Sequence, residues 1–178
     1  MLPGLIVVAK LDCSARIRGD LANQNRTLRL HDKINQGAEI TTDVAAGGRL
    51  VLAFSNGAVI RLAPDSVIRI DQLRQSPIGP AVAISELHTE PSSSQTELTL
   101  LRGEVIGETP ILNANQGSVF VINVRSRKVS VGASNFRISL FPNELPPKAI
   151  QVELSPRRFD EEDEGRIHEL VDERKNPG

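Results

Sequence analysis

The chain has 178 residues, with 21 Lys and Arg against 22 Asp and Glu, for a formal net charge of -1. That length suits one domain, or one domain with a tail, and is enough to bury a core. Balanced charge offers no basic face for nucleic acid, and with no Trp, no Tyr and only 5 Phe there is no stacking platform for single strands or most sugars.

The opening "MLPGLIVVAKLD" lacks a basic leader and has only about seven apolar residues before Lys10, too few for a membrane span and a poor signal peptide. Synthesis in the cytosol and an export signal further upstream both fit. Cys13 is the sole cysteine, so it forms no internal disulfide and anchors no thiolate zinc site. It reads as a small buried filler.

Val7, Ala9 and Leu11 alternate with Val8 and Lys10 as a first strand. "NQNRT" is a turn, and "TLRL" (27–30) a short second strand with Leu28 and Leu30 on one side. Asn35, Gln36 and Gly37 form a turn before a strand around Ile40, and residues 45–48 form another. The clearest pattern comes next. Leu50, Leu52 and Phe54 share one face, Ile60 and Leu62 continue it, and Ile68 and Ile70 complete it, with Arg49, Arg61 and Arg69 on the opposite side. Asn56-Gly57 predicts a tight type I′ hairpin between the first two of these strands, and Pro64-Asp65-Ser66 a turn before the third.

Residues 75–95 hold three prolines and a serine run and read as a long surface loop. Strand patterns resume in "ELTLLRGEVIG", "SVFVINV", "KVSVGA", "NFRISLF" and "KAIQVEL", with turn residues at Arg102-Gly103 and Asn115-Gln116-Gly117. The fold class read from this spacing is all-β, a solenoid- or sandwich-like array of short antiparallel strands with a short C-terminal α-helix. The division is a β domain over 1–154, including the loop 75–95, and an acidic helical tail over 155–178. In that tail Ser155 is the predicted N-cap and Pro156 the first helical residue. Phe159, Ile167, Leu170 and Val171 would dock one face, with five acids, Asp160 to Glu164, near the start and Arg174-Lys175 at the end.

Catalytic signatures are missing: there is no G-x-S-x-G, H-E-x-x-H, P-loop or G-x-G-x-x-G. His31, His88 and His168 are scattered. His31-Asp32 beside Lys33 sits on a turn where neighbours point apart, a poor basis for an oriented acid–base pair. Ser92-Ser93-Ser94 reads as linker. The acidic run lacks the glycine and the downstream glutamate of a calcium loop. No catalytic, cofactor-binding or metal residue is assigned, no cofactor is expected, and the binding residues are unknown. The reading is a non-enzyme.

Residues 37–70, "GAEITTDVAAGGRLVLAFSNGAVIRLAPDSVIRI", resemble the core of the FecR-type domain at Gly37, Ile40, Thr41, Thr42, Phe54, Asn56, Gly57, Pro64 and Ser66. "TELTLLRGEVIG" (96–107) resembles that family's L-x-L-x-x-G-x-V step, and the likeness spans residues 5 to 140. Where the family continues with Thr-Pro and then Gly-Thr-x-Phe, this chain has Val124-Arg125 and Ala133-Ser134-Asn135-Phe136. The resemblance implies an all-β module, usually periplasmic or extracellular, that binds a protein or cell-envelope partner in signalling or assembly. The family's anti-sigma segment is not seen before residue 5, nor is a membrane span, so its sigma-factor circuit is not carried over. A structural spacer of an envelope complex is the alternative, and a carbohydrate-active enzyme on a β-solenoid ranks below it. Binding is expected at a strand edge near the 75–95 loop, with little dependence on salt because few charges line the strands.

Overall fold

The computed structural model of the chain describes residues 1–19, 25–44, 48–78, 88–141 and 149–156. Among them, fourteen strands join in one hydrogen-bonded sheet. In chain order these are β1 (Leu2–Pro3), β2 (Ile6–Leu11), β3 (Ala15–Arg18), β4 (Arg26–Thr27), β5 (Lys33–Ile34), β6 (Glu39–Thr42) and β7 (Leu50–Phe54). They continue as β8 (Val59–Leu62), β9 (Val67–Gln75), β10 (Ser94–Glu108), β11 (Val119–Val124), β12 (Arg127–Ser130), β13 (Ser134–Leu140) and β14 (Ile150–Pro156). The result is an almost all-β, curled antiparallel sheet, a half-barrel, with β10 and β11 as a parallel pair.

The curl comes from β10. Its first part, to Arg102, pairs with β9 and β11, while residues from Gly103 onward pair with β13 and β8. One strand therefore belongs to both halves. The first half runs β4-β3-β6-β9-β10-β11-β12, and the second runs β5-β2-β7-β8-β10-β13-β14. At the crossing the ladder slips between Leu100 and Arg102, and Gly103 takes φ 87°. A bulge with a glycine in the left-handed region bends a strand without ending it. Arg102-Gly103 is thus a corner inside a 15-residue strand and not the predicted turn.

Period two does the rest. In the first half Ile17, Ile40, Ile68 and Leu100 stand side by side across four strands, all fully buried. In the second half Leu50, Leu62, Val105 and Ile138 do the same. Both rows face one core, and Phe120 ties them together with ring centroids 5.9 Å from Phe54 and 6.4 Å from Phe136. Each such side chain contributes about 1.5–3 kcal/mol by leaving water. The predicted row Leu50, Leu52, Phe54, Ile60, Leu62, Ile68 and Ile70 is buried throughout, while Arg49, Arg61 and Arg69 stay outside the core.

Several local expectations are corrected. A bulge between Val8 and Lys10 breaks the alternation of β2, so Ile6, Val8 and Leu11 face the core in place of Val7, Ala9 and Leu11. β3 is a strand to which the sequence reading assigned no element, and Leu28 and Leu30 follow β4 as core anchors outside any strand. The hairpin between β7 and β8 has three loop residues. Phe54 and Ala58 bracket it, Gly57 N–H bonds Phe54 O at 2.9 Å, and Gly57 alone has positive φ, at 96°. A type I′ turn would need Asn56 there too, so this is a turn closed by a glycine bulge.

Of the predicted helical tail over 155–178, residues 157–178 lie outside the described residues, while its first two residues are described. Ser155 and Pro156 are strand residues paired with Asn135 and Ser134, so they are neither N-cap nor first helical turn. Proline is tolerated at an edge, where its missing N–H costs no ladder bond.

Candidate functional site

The residues that carry the FecR-type resemblance gather at fasteners of the fold. Thr42 Oγ1 accepts Ser66 N–H at 2.9 Å and donates to Ala63 O at 2.7 Å. Ser66 Oγ in turn accepts Glu104 N–H at 3.0 Å, and a Cβ on Gly103 would meet that Oγ at 2.2 Å. The I-T-T, Pro-x-Ser and G-x-V steps therefore close on each other at the β10 corner. Asn56 makes a second fastener. It is fully buried, accepts Ala58 N–H at 3.0 Å, and donates to Ser94 Oγ at 3.2 Å and Thr96 Oγ1 at 3.1 Å.

That second fastener continues into a buried carboxylate. Glu90 is 4 % exposed and is met by Ser94 Oγ at 2.6 Å, by Asn113 N–H at 2.7 Å and by the Ser118 hydroxyl. All three donors are neutral. Ser92 and Ser93 bond Ser76, at 2.7 and 2.9 Å, so the serine run is a packed clasp and not a linker. It holds the start of β10 against the end of β9. Glu90, Ser93 and Ser94 are buried within this clasp.

The other candidates are also placed. Asp32 is taken up by Arg26 Nη1 at 2.6 Å and Arg29 N–H at 2.8 Å, while Lys33 pairs with Val7 in the ladder. His31 occupies a turn at φ 67°. His88 lends its carbonyl to Ile111 N–H, and His168 and the run Asp160–Glu164 lie outside the described residues. Among the described residues no three of His, Cys, Asp and Glu come together as a metal set. Cys13 is half-buried rather than buried, with its thiol pushed above the ordinary range by burial and then by Asp43 and Asp12. A thiol held protonated is a poor nucleophile.

Two features remain open to solvent. The first is the edge. Among the described residues the outer strands are β1, β4, β5, β12 and β14, of which β1 has two residues. β4 and β5 have two residues each, and β12 carries Arg127 and Lys128, devices that blunt an edge. β14 has seven residues, mostly exposed. Phe141 N–H bonds Ala149 O, so the alternation of an antiparallel ladder turns residues 151, 153 and 155 toward β13 and the N–H groups of Ile150, Val152 and Leu154 outward. The strands flanking the 75–95 loop, β9 and β10, have neighbours on both sides, and the edge beside that loop is the two-residue β1, paired with Arg74 and Gln75 at the end of β9.

The second feature is a cleft of about 480 Å³ on the outer face of the second half. Strand pairing lays two rows across it. One reads Val51, Arg61, Ile106, Arg137, Glu153, and the other Val59, Glu108, Asn135, Ser155. Arg49 adds a third guanidinium two residues before Val51. Val51 and Val59, with Ala9, form a small apolar cluster separate from the main core. The expectation that few charges line the strands fails on this face. Sequence reasoning put Arg49 and Arg61 outside but missed Arg137 and Asn135 as their neighbours, because only the register of five strands brings them together.

Among the described residues no helix is long and apolar enough to cross a membrane. No family model, no curated protein and no solved structure matches this chain.

Proposed function

We propose that this chain is a non-enzymatic β module of FecR type that binds a protein partner in a bacterial envelope setting, with the outer edge of β14 as its docking strand. The observation that carries the reading is that edge, with seven residues, the outward N–H groups of Ile150, Val152 and Leu154, and no second neighbour among the described residues. An extended partner segment adds to such an edge through main-chain hydrogen bonds. Leu154, at 49 % exposure, offers apolar contact beside it. The resemblance over residues 37–70 and 96–107 supports the family reading, and the envelope setting rests on that resemblance.

Hydrogen exchange of the full chain, with and without a bacterial envelope extract, tests it. Amides of β14 should gain protection, and Leu154→Pro should abolish the gain while changing stability by no more than about 1 kcal/mol, since proline removes an outward donor and leaves the ladder to β13 intact. Protection confined to β12 or to the flanks of the 75–95 loop would move the site. No protection anywhere would favour the spacer reading.

A further inference from the structure

We infer that, when no other partner covers it, the β14 edge pairs with β14 of a second copy of this chain, as an antiparallel two-fold dimer centred on Val152. This dimer rests on the edge reading above, since it uses the same open main-chain groups. Their placement is the first support. In an antiparallel ladder the N–H and C=O of one residue point to the same side, so Ile150, Val152 and Leu154 each offer an outward donor and an outward acceptor. Pro156, the next outward position, has no N–H and ends the run of donors. The run is therefore symmetric about Val152. Two antiparallel copies in that register set Val152 against Val152 and Ile150 against Leu154. Every outward donor on either strand then meets an outward acceptor.

The side chains match in the same register. Ile150, Val152 and Leu154 stand opposite the buried Leu140, Ile138 and Phe136 of β13, on the core side of the sheet. Ile150 and Val152 already pack against the core, whereas Leu154 is exposed. In the dimer Leu154 lies beside Ile150 of the second copy and the two Val152 side chains meet, so the apolar row continues across the two-fold. Gln151 and Glu153 stand on the outer side, both exposed. They fall at non-hydrogen-bonded pairs, where side chains come closest, and each Gln151 amide faces a Glu153 carboxylate of the other copy. A slip pairing Val152 with Leu154 would set Glu153 against Glu153, like charges directly opposite, and would bring Pro156 opposite Ile150 without a donor. The other edges offer no such match: β1, β4 and β5 have two residues each, and β12 carries Arg127 and Lys128. A strand paired with itself about a two-fold closes at two copies, whereas β14 on β12 would be head-to-tail and would keep growing. A ladder over 150–154 is a small contact, so the dimer is weak, with a dissociation constant on the order of 100 µM, and yields to a partner with a longer strand.

Sedimentation of the purified full chain from about 10 µM to about 1 mM should show a monomer–dimer equilibrium and no larger species. Over the same range hydrogen exchange should slow at the amides of Ile150, Val152 and Leu154. Leu154→Pro should weaken the dimer by about tenfold or more, because it removes a donor near each end of the ladder. Two variants read the register without touching the core. Gln151→Lys should tighten the dimer by about threefold or more by facing Glu153, and Gln151→Glu should weaken it by a similar factor. Both effects should shrink at about 500 mM salt, and neither variant should change the melting of the monomer. A chain still monomeric at about 1 mM, or a Leu154→Pro variant that associates as tightly as the parent, overturns the inference. Unchanged affinity in both Gln151 variants overturns the Val152 register. The envelope-extract experiment, run at about 1 µM where the chain is monomeric, keeps the two readings apart. Protection of β14 by extract in a chain that never dimerises sinks the self-pairing and leaves the edge reading standing. A dimer through β14 with no gain from extract does the reverse.

Discussion

At the scale of single residues, this chain places its most distinctive polar groups inside. Asn56 is the clearest case. Its sequence context, Asn-Gly between alternating strands, marks a turn, and a turn residue is normally thought of as exposed. Here the turn is real, but its side chain is buried and bonded to Ala58, Ser94 and Thr96. The two views predict different mutants. In a type I′ turn Asn56→Gly would be nearly neutral, because glycine suits positive φ. In the observed hairpin Asn56→Gly and Asn56→Ala should both cost about 1–3 kcal/mol, the penalty for leaving a buried N–H and two hydroxyls without their partner. Denaturant midpoints of the two variants decide between them, and a neutral glycine variant would restore the type I′ turn. What was legible at this scale was that position 56 mattered. Its partners were not, because Ser94 and Thr96 come near only once β10 lies beside the hairpin.

At the scale of elements, β10 organises the molecule, and it was the least legible. Fifteen residues in one strand look in sequence like two strands around Arg102-Gly103, since glycine at positive φ serves a turn and a bulge equally well. What separates the cases is the packing of Gly103 on Ser66, which only tertiary structure supplies. Gly103→Ala should therefore destabilise by about 2–4 kcal/mol, combining a disfavoured φ with overpacking against the Ser66 backbone. Ser66→Gly should itself cost stability by freeing the Glu104 N–H, yet the double variant should lose less than the sum of the two, because the Oγ and Cβ that the new methyl meets are gone. Thermal unfolding of the single and double variants checks this, and purely additive losses would show that the contact is not the cause. The strands over 49–71 were legible for the opposite reason. Their alternation depends on nothing beyond neighbours in the chain, and a one-residue slip would have put three arginines in the core. The far end of the sheet was not: "KAIQVEL" gave a strand, but Ser155-Pro156 matched a helix start locally while β13 continued to offer a partner.

At the scale of the whole molecule, a strand shared by both halves makes them one cooperative unit. The first half cannot open along β9–β10 without loosening β10, and β10 then releases β8 and β13. The aromatic contacts of Phe120 with Phe54 and Phe136 add a second tie across the core. The same register that unites the halves sets Arg61, Arg137 and Asn135 on one face, so the cleft should persist as long as the fold does and not be a loosely held patch. Two core truncations test this unity. Leu98→Ala removes a fully buried side chain in the first half and Ile138→Ala one in the second, and each should cost about 2–5 kcal/mol. If the halves are coupled, each variant shifts one transition, with calorimetric and van't Hoff enthalpies still equal. Amide protection in native-state exchange should then fall by a similar free energy in β7 and in β11, whichever half carries the substitution. Were Leu98→Ala to lower protection in β11 while β7 kept its own, the corner at Gly103 would be a hinge between two folding units. The cleft would then be free to survive the loss of the first half.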